Sequence, residues 1–298
     1  MNRHVSKPER TFIAEDGTRV AYSIEGRGDA LLLTNGLTTD TTFWKYLRPI
    51  WLRYHTVITW DLPGHGRSGP ARSARLASVE AQALVMRGIM DACGVQRALQ
   101  VGWSTGCQLV LEMYRRSPER CAALALLFGP AGRVLDTTRL PLPGAWFAPL
   151  LRAAPAAAFE MFSRAVSRAL LVPGVIPLGR KLQLIGPHTN EYDMRQVLSH
   201  IGTVDSGTLR QMLLSLQGHS AHGVLPQVRV PLLIMAGERD PFAPAEAVGV
   251  PMHEAAPQSE FVRLSEGTHT ALFDEVDAIA RAVEELAVPA FYARSFVN

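Results

Sequence analysis

Gly102-Trp103-Ser104-Thr105-Gly106 sets one hydroxyl between two glycines. An apolar run from Leu99 leads into it, and Gln108 to Arg116 behind it have helical spacing. A serine at such a strand-to-helix junction sits on a tight turn at the carboxyl edge of a sheet, near the first N–H groups of a helix. The turn demands an unusual φ/ψ at Ser104, while Gly102 and Gly106 let strand and helix approach closely. A serine hydroxyl is almost wholly protonated at neutral pH, so nucleophilic chemistry requires an adjacent base. The same five residues also read as an inert Gly/Ser turn, and the rest of the chain must decide between the two.

Two further positions supply the missing groups. His269 stands in Glu266-Gly267-Thr268-His269 ahead of a helical stretch, and Asp240 ends the apolar run Val230 to Ala236 through Gly237-Glu238-Arg239. His269 would take the proton from Ser104 and return it to a leaving group. Asp240 would hold the imidazole in one tautomer and stabilise the imidazolium. Backbone N–H groups of Thr105 and of Leu37, in Asn35-Gly36-Leu37-Thr38, would face the developing oxyanion. Among rival histidines, His65 lies in the loop Asp61 to Ser68 and reads as structural. His219 and His222 form an H-x-x-H without a third ligand at metal spacing, so no metal is expected. Asp136 and Asp205 compete for the acid role, but Asp240 closes a long apolar strand. Asp61 and Arg67 read as residues that fix their own loop.

These groups need elements to carry them. Thr11 to Ala14 and Arg19 to Ile24 flank Asp16-Gly17 as a hairpin. Ala30 to Thr34, His55 to Trp60, the run into Ser104, Ala122 to Phe128 and Val230 to Ala236 are continuous apolar runs, as expected of strands buried on both faces. Glu260 to Leu264 is a short last strand. Val79 to Cys93 and about Asp274 to Leu286 have helical spacing. From Arg133 to about Gln227 the pattern changes to helix-like segments broken by prolines: Trp146 to Leu151, Phe159 to Val172, Met194 to Ile201 and Leu209 to Leu216. The spacing thus predicts an α/β fold, a mostly parallel eight-stranded sheet with helices on both faces. Residues 1–132 and 227–298 form its core, and 133–226 an inserted helical cap. Ligands of such sheets bind beyond the carboxyl ends of the strands, where Ser104, Asp240, His269 and Asn35-Gly36-Leu37 should converge.

Four motifs, Asn35-Gly36, Asp61-x-x-Gly64-x-Gly66-x-Ser68, Gly102-x-Ser104-x-Gly106, and Gly237-x-x-Asp240 with Gly267-x-His269, occur in this order. In them the chain resembles the α/β-hydrolase family, in its lidded, serine-esterase-like branch, over about residues 11–132 and 227–290. The order Ser, Asp, His is the one that fold uses. The chain departs from the family pattern at Asn35, where many members have His, and at Cys107, where a second glycine often follows the elbow. A backbone donor tolerates the first change; the second touches the helix–strand packing.

Bulk properties narrow the partners. The chain has 298 residues, 47% hydrophobic and 19% charged, and its net charge of +3 is too small to argue for nucleic acid. Cys93, Cys107 and Cys121 have no metal spacing and suit a reducing compartment. Met1 to Arg10 has no apolar signal segment, and no uncharged apolar run reaches a membrane span, so a cytoplasmic location is expected. The cap carries seven bases and two acids between Arg133 and Asn190. Its aromatic residues Trp146, Phe147 and Phe162, with Trp103 and Asn35 from the core, are the expected substrate contacts, and Trp44 is a further candidate wall. A basic amphipathic cap also permits contact with an anionic lipid surface. The expectation is a serine hydrolase that needs no metal or cofactor, acting through an acyl-serine on a small-molecule ester, thioester or lactone with a lipophilic part. Alternatives are an acyltransferase or C–C bond hydrolase with the same three residues, or a non-catalytic binding protein on this fold.

Overall fold

A computed structural model describes residues 10–138 and 144–291, with the side chains of 144–148 excepted. The described residues begin with an antiparallel hairpin, β1 (Arg10–Ile13) and β2 (Arg19–Gly26), and β2 pairs antiparallel with β4 (Thr56–Trp60). Every later pairing is parallel: β3 (Ala30–Thr34), β5 (Ala98–Trp103), β6 (Cys121–Leu127), β7 (Leu232–Gly237) and β8 (Glu260–Leu264). The strand order is β1-β2-β4-β3-β5-β6-β7-β8. All positions of β3, β5, β6 and β7 are buried, which is why these strands read as unbroken apolar runs.

One face of the sheet packs on α2 (Val79–Ala92) and α3 (Gly106–Arg116), through Met86, Ile89 and Val110 among others. The opposite face is closed by Trp44, by the single turn α1 (Arg48–Trp51) with Trp51, and by Val283 and Leu286 of the C-terminal helix. Ser78 caps α2 by accepting from the Ala81 N–H at 3.2 Å.

Between β6 and β7 the chain leaves the sheet for five helices among the described residues: α4 (Gly144–Ala153), α5 (Ala156–Leu170), α6 (Val175–Lys181), α7 (Glu191–Ile201) and α8 (Ser206–Gly218). Asn190 and Asp205 cap the last two. Helix α6 is missing from the sequence reading because Pro177 and Gly179 lie inside it. Pro177 sits in its first turn, where the lost N–H has no intrahelical partner in any case. After β7 come α9 (Val250–Ala255), α10 (Ala271–Asp274) and α11 (Val276–Phe291). The helix expected from about Asp274 is α11, and the single turn α10 precedes it, with the break at Glu275.

Candidate active site

Ser104 lies in the turn from β5 to α3 with φ 55°, inside the left-handed region that L side chains avoid. Two more non-glycine residues share that strain at neighbouring strand ends, Thr38 (φ 61°) after β3 and Phe128 (φ 50°) after β6. Strain gathered at one sheet edge persists only where the surroundings over-determine it. Here the Ser104 N–H donates to the Leu127 carbonyl at 2.9 Å, and its carbonyl accepts from Cys107 N–H at 3.0 Å. A Cβ on Gly102 would lie 2.5 Å from the Gly106 carbonyl oxygen, and one on Gly106 would lie 2.5 Å from that of Thr34. The glycines are therefore required by close approach. Cys107 is accommodated fully buried, its thiol 3.3 Å from the Gly102 carbonyl oxygen.

His269, in the loop after β8, places Nε2 3.0 Å from Ser104 Oγ. Its Nδ1 lies 2.8 Å from Asp240 Oδ2. Asp240 is fully buried beyond β7, and its other oxygen accepts from the N–H groups of Phe242 (2.8 Å) and Ala243 (3.0 Å). An ionised carboxylate only accepts, so it fixes the proton of His269 on Nδ1 and leaves Nε2 with a lone pair toward the Ser104 hydroxyl. Phe242 and Trp103 flank the imidazole at ring distances of 4.8 and 4.9 Å. Three side chains remote in sequence thus form one hydrogen-bonded line.

Thr105 opens α3, whose first N–H groups have no intrahelical acceptor. The Leu37 N–H donates to Thr105 Oγ1 at 2.9 Å, so the two backbone groups expected to face an oxyanion are adjacent, with the Thr105 hydroxyl at one of them.

The line opens onto a cavity of about 720 Å³. Ser104, His269, Trp103 and Phe43 lie on the sheet side; Val166, Leu170, Leu178, Met194 and Leu198 lie on the helical side. Apart from His269, no titratable side chain lines it among the described residues. Trp103 is a wall, stacked on Phe43 at 4.0 Å between ring centroids.

Other expected contacts fall elsewhere. Asn35 is fully buried behind the site: its carbonyl oxygen accepts from the Trp44 indole N–H, and its amide donates to the Trp60 carbonyl at 3.1 Å. Both ends of the amide are consumed holding the core, so it is not a substrate contact, and Trp44 is core for the same reason. Phe162 is 60% exposed on the outer side of α5 and does not line the cavity. Trp146 and Phe147 belong to α4, but their side chains lie outside the described residues. Phe43 and Phe242 were missed; each has only an aromatic side chain close to a motif as its sequence signal.

The rival groups are engaged in other work. Asp136 accepts from Gln217 Nε2 at 2.7 Å, and Asp205 caps α8. Asp61 accepts from Thr41 N–H (2.9 Å) and Arg67 N–H (3.1 Å) and ties its loop; burial nevertheless pushes its pKa up. His65 is fully buried beside the Pro63 carbonyl, and burial lowers its pKa to about 4. His219 sits 2.8 Å from Gln108 Oε1 and 3.3 Å from Glu112 Oε2, on α3.

A mostly parallel sheet, a strained serine between a strand and a helix, and Ser, Asp and His in that chain order define the α/β-hydrolase class. The chain belongs to the α/β-hydrolase fold family, whose model matches residues 29–276. It is 32% identical over 125 residues to an uncharacterized protein of Mycobacterium tuberculosis; that stretch is 42% of this chain and 36% of the other. It is 25% identical over 275 residues to the dihydrolipoyllysine-residue acetyltransferase component of an acetoin cleaving system from Pseudomonas putida, covering 89% of this chain and 66% of that one. The chain thus spans about a third of the length of the first relative and 66% of the second. Among solved structures, the enol-lactonase of Burkholderia xenovorans LB400 superposes with a TM-score of 0.73 at 18% identity, over 94% of this chain and all of that one. At that identity the likeness speaks for the fold.

Proposed function

We propose that the protein is a serine hydrolase that cleaves a carboxylic ester, thioester or lactone with a lipophilic acyl or alkyl part, through an acyl-serine. The observation that carries this reading is the unbroken line from Asp240 through His269 to Ser104 Oγ, at 2.8 and 3.0 Å. As Oγ attacks the carbonyl carbon, its proton passes to His269 Nε2, and the imidazolium is stabilised by the buried Asp240. The oxyanion develops against the N–H of Thr105 and of Leu37, which must turn from Thr105 Oγ1 toward the substrate. One such donor is typically worth about 2.7–4 kcal/mol of barrier. The imidazolium then protonates the leaving group, and water repeats the sequence on the acyl-serine. The cavity supports the lipophilic half of the reading, because burying a charged group against those walls would leave it without a partner. In this reading residues 133–226 act as the cap and 1–132 with 227–298 as the core.

Ser104→Ala should abolish p-nitrophenyl ester cleavage while leaving the unfolding transition in place, and a fluorophosphonate should label the wild type alone. Near-normal turnover by the alanine variant would remove Ser104 from the chemistry. The relative matched along 89% of this chain carries an acetyltransferase name, which favours a second reading: the acyl group passes to an acceptor other than water. Product analysis with an added thiol or alcohol separates the two: hydrolysis releases the acyl group as free acid beside the leaving alcohol, whereas transfer yields a new thioester or ester.

A further inference from the structure

Helices α5 and α6 meet at 90° and carry apolar side chains that nothing among the described residues covers. Met161, Phe162, Leu171, Val172, Leu178 and Leu182 are each between 51% and 72% exposed. No single described helix is long and apolar enough to cross a membrane. The exposed face is continuous with the cavity: Val166, Leu178 and Leu182 are at once exposed and part of the cavity lining. The cavity that reaches Ser104 is therefore bordered by this surface. The same segment is basic. Residues 144–182 hold Arg152, Arg164, Arg168, Arg180 and Lys181 against one acid, Glu160, which is paired with Arg164. Arg152, Arg164, Arg168 and Lys181 are exposed.

We propose that the α5–α6 face docks on an anionic phospholipid surface, so that a lipophilic substrate passes from the bilayer into the cavity without crossing water. Exposed Met, Phe and Leu on a helical face with flanking arginines match an interfacial site, where apolar groups enter the acyl boundary and bases meet headgroup phosphates. A second copy of the chain is the poorer occupant, because two faces with this excess of bases repel each other. The substrate part of the proposal rests on the hydrolase reading; the docking part is measured without turnover.

Co-sedimentation with vesicles of phosphatidylcholine, with and without one quarter phosphatidylglycerol, tests it on the full chain. Wild type should pellet with the anionic vesicles, far less with the neutral ones, and less again at high salt. Neutralising Arg168 and Lys181 to Gln should weaken partitioning by roughly fivefold per base. Met161→Glu with Val172→Glu should abolish pelleting, yet keep turnover of a water-soluble short-chain ester within about twofold, which also shows that this variant folds. Ser104→Ala should pellet as wild type does; if it does while wild type cleaves no ester, the docking stands and the hydrolase reading falls. Wild type left in the supernatant with anionic vesicles, or a double-glutamate variant that still pellets, overturns the proposal. So does a concentration-dependent dimer abolished by the same two substitutions, which would assign the face to a second copy.

Discussion

Asp240→Asn keeps the shape of the site and removes one electrostatic instruction. The Oδ1 position accepts two backbone N–H groups, from Phe242 at 2.8 Å and Ala243 at 3.0 Å. Only the carbonyl oxygen of the new amide can match them, so its NH₂ must face His269 Nδ1, where Oδ2 now sits at 2.8 Å. That nitrogen then has to accept, the ring proton moves to Nε2, and the base turned toward Ser104 Oγ no longer has a lone pair. In a protease with the same arrangement the equivalent change costs about 10⁴ in kcat, or about 5.5 kcal/mol of barrier. A rotated amide restores the working tautomer but strands two buried N–H donors at about 1–3 kcal/mol each, which limits its population to roughly one molecule in 10³ at the middle of that range. Turnover of a p-nitrophenyl ester should therefore fall 10³- to 10⁴-fold, with KM little changed and stability in urea within about 1 kcal/mol, because every other hydrogen bond survives. Retention of more than a tenth of the wild-type kcat would refute the reasoning and point to another carboxylate as the partner of His269.

Other consequences are checked by urea unfolding. In Gly102→Ala the new Cβ meets backbone 2.5 Å away that cannot yield, so stability should drop by at least about 2 kcal/mol and activity with it. Burial alone would raise the pKa of Glu112, yet hydrogen bonds from His219, Arg115 and Arg116 outweigh it and hold the pKa at about 2, against 4.5 when free. The stabilisation this carboxylate contributes is full above pH 4.5 and lost as pH falls toward 2, about 3 kcal/mol in all, and Glu112→Gln should flatten that loss. Buried His65 has the opposite charge logic: it resists protonation between pH 6.5 and about 4, so each unit of acid in that window costs up to about 1.4 kcal/mol. His65→Gln should lack this earlier fall, and an unchanged pH profile would show that His65 gains a proton partner in the native state.

The strands and the Ser104, Asp240 and His269 positions were legible because each depends on local sequence. A strand buried on both faces must be apolar throughout, and a strand-to-helix turn as tight as the one at Ser104 must carry glycine on either side. What lay beyond reach depends on which element faces which. Helical periodicity marks Phe159, Phe162 and Val166 of α5 as one apolar set. Only the packing reveals that Phe159 turns inward to Leu151 and Leu209, Val166 reaches the cavity, and Phe162 faces outward. Asn35 shows the same limit. A polar residue at a motif position suggests a substrate contact, until Trp44 and the Trp60 carbonyl occupy both ends of its amide.

The helix that begins behind Ser104 also fastens the inserted segment. Gln108, on the first turn of α3, donates to the Gly132 carbonyl where the chain leaves the sheet for the inserted segment, and accepts from His219 where it returns. The two connections are joined directly by the Ala221 N–H on the Ala131 carbonyl at 2.8 Å. One turn further along α3, Glu112 holds the other nitrogen of His219 at 3.3 Å. Gln108 and Glu112 are fully buried, so breaking one of their bonds leaves a polar atom without water, at about 1–3 kcal/mol. Swinging the whole insertion about its two connections would break several at once. Opening within the insertion breaks none of them. The α5–α6 corner, exposed on its outer side and lining the cavity on its inner side, is therefore where a path to Ser104 opens at least cost.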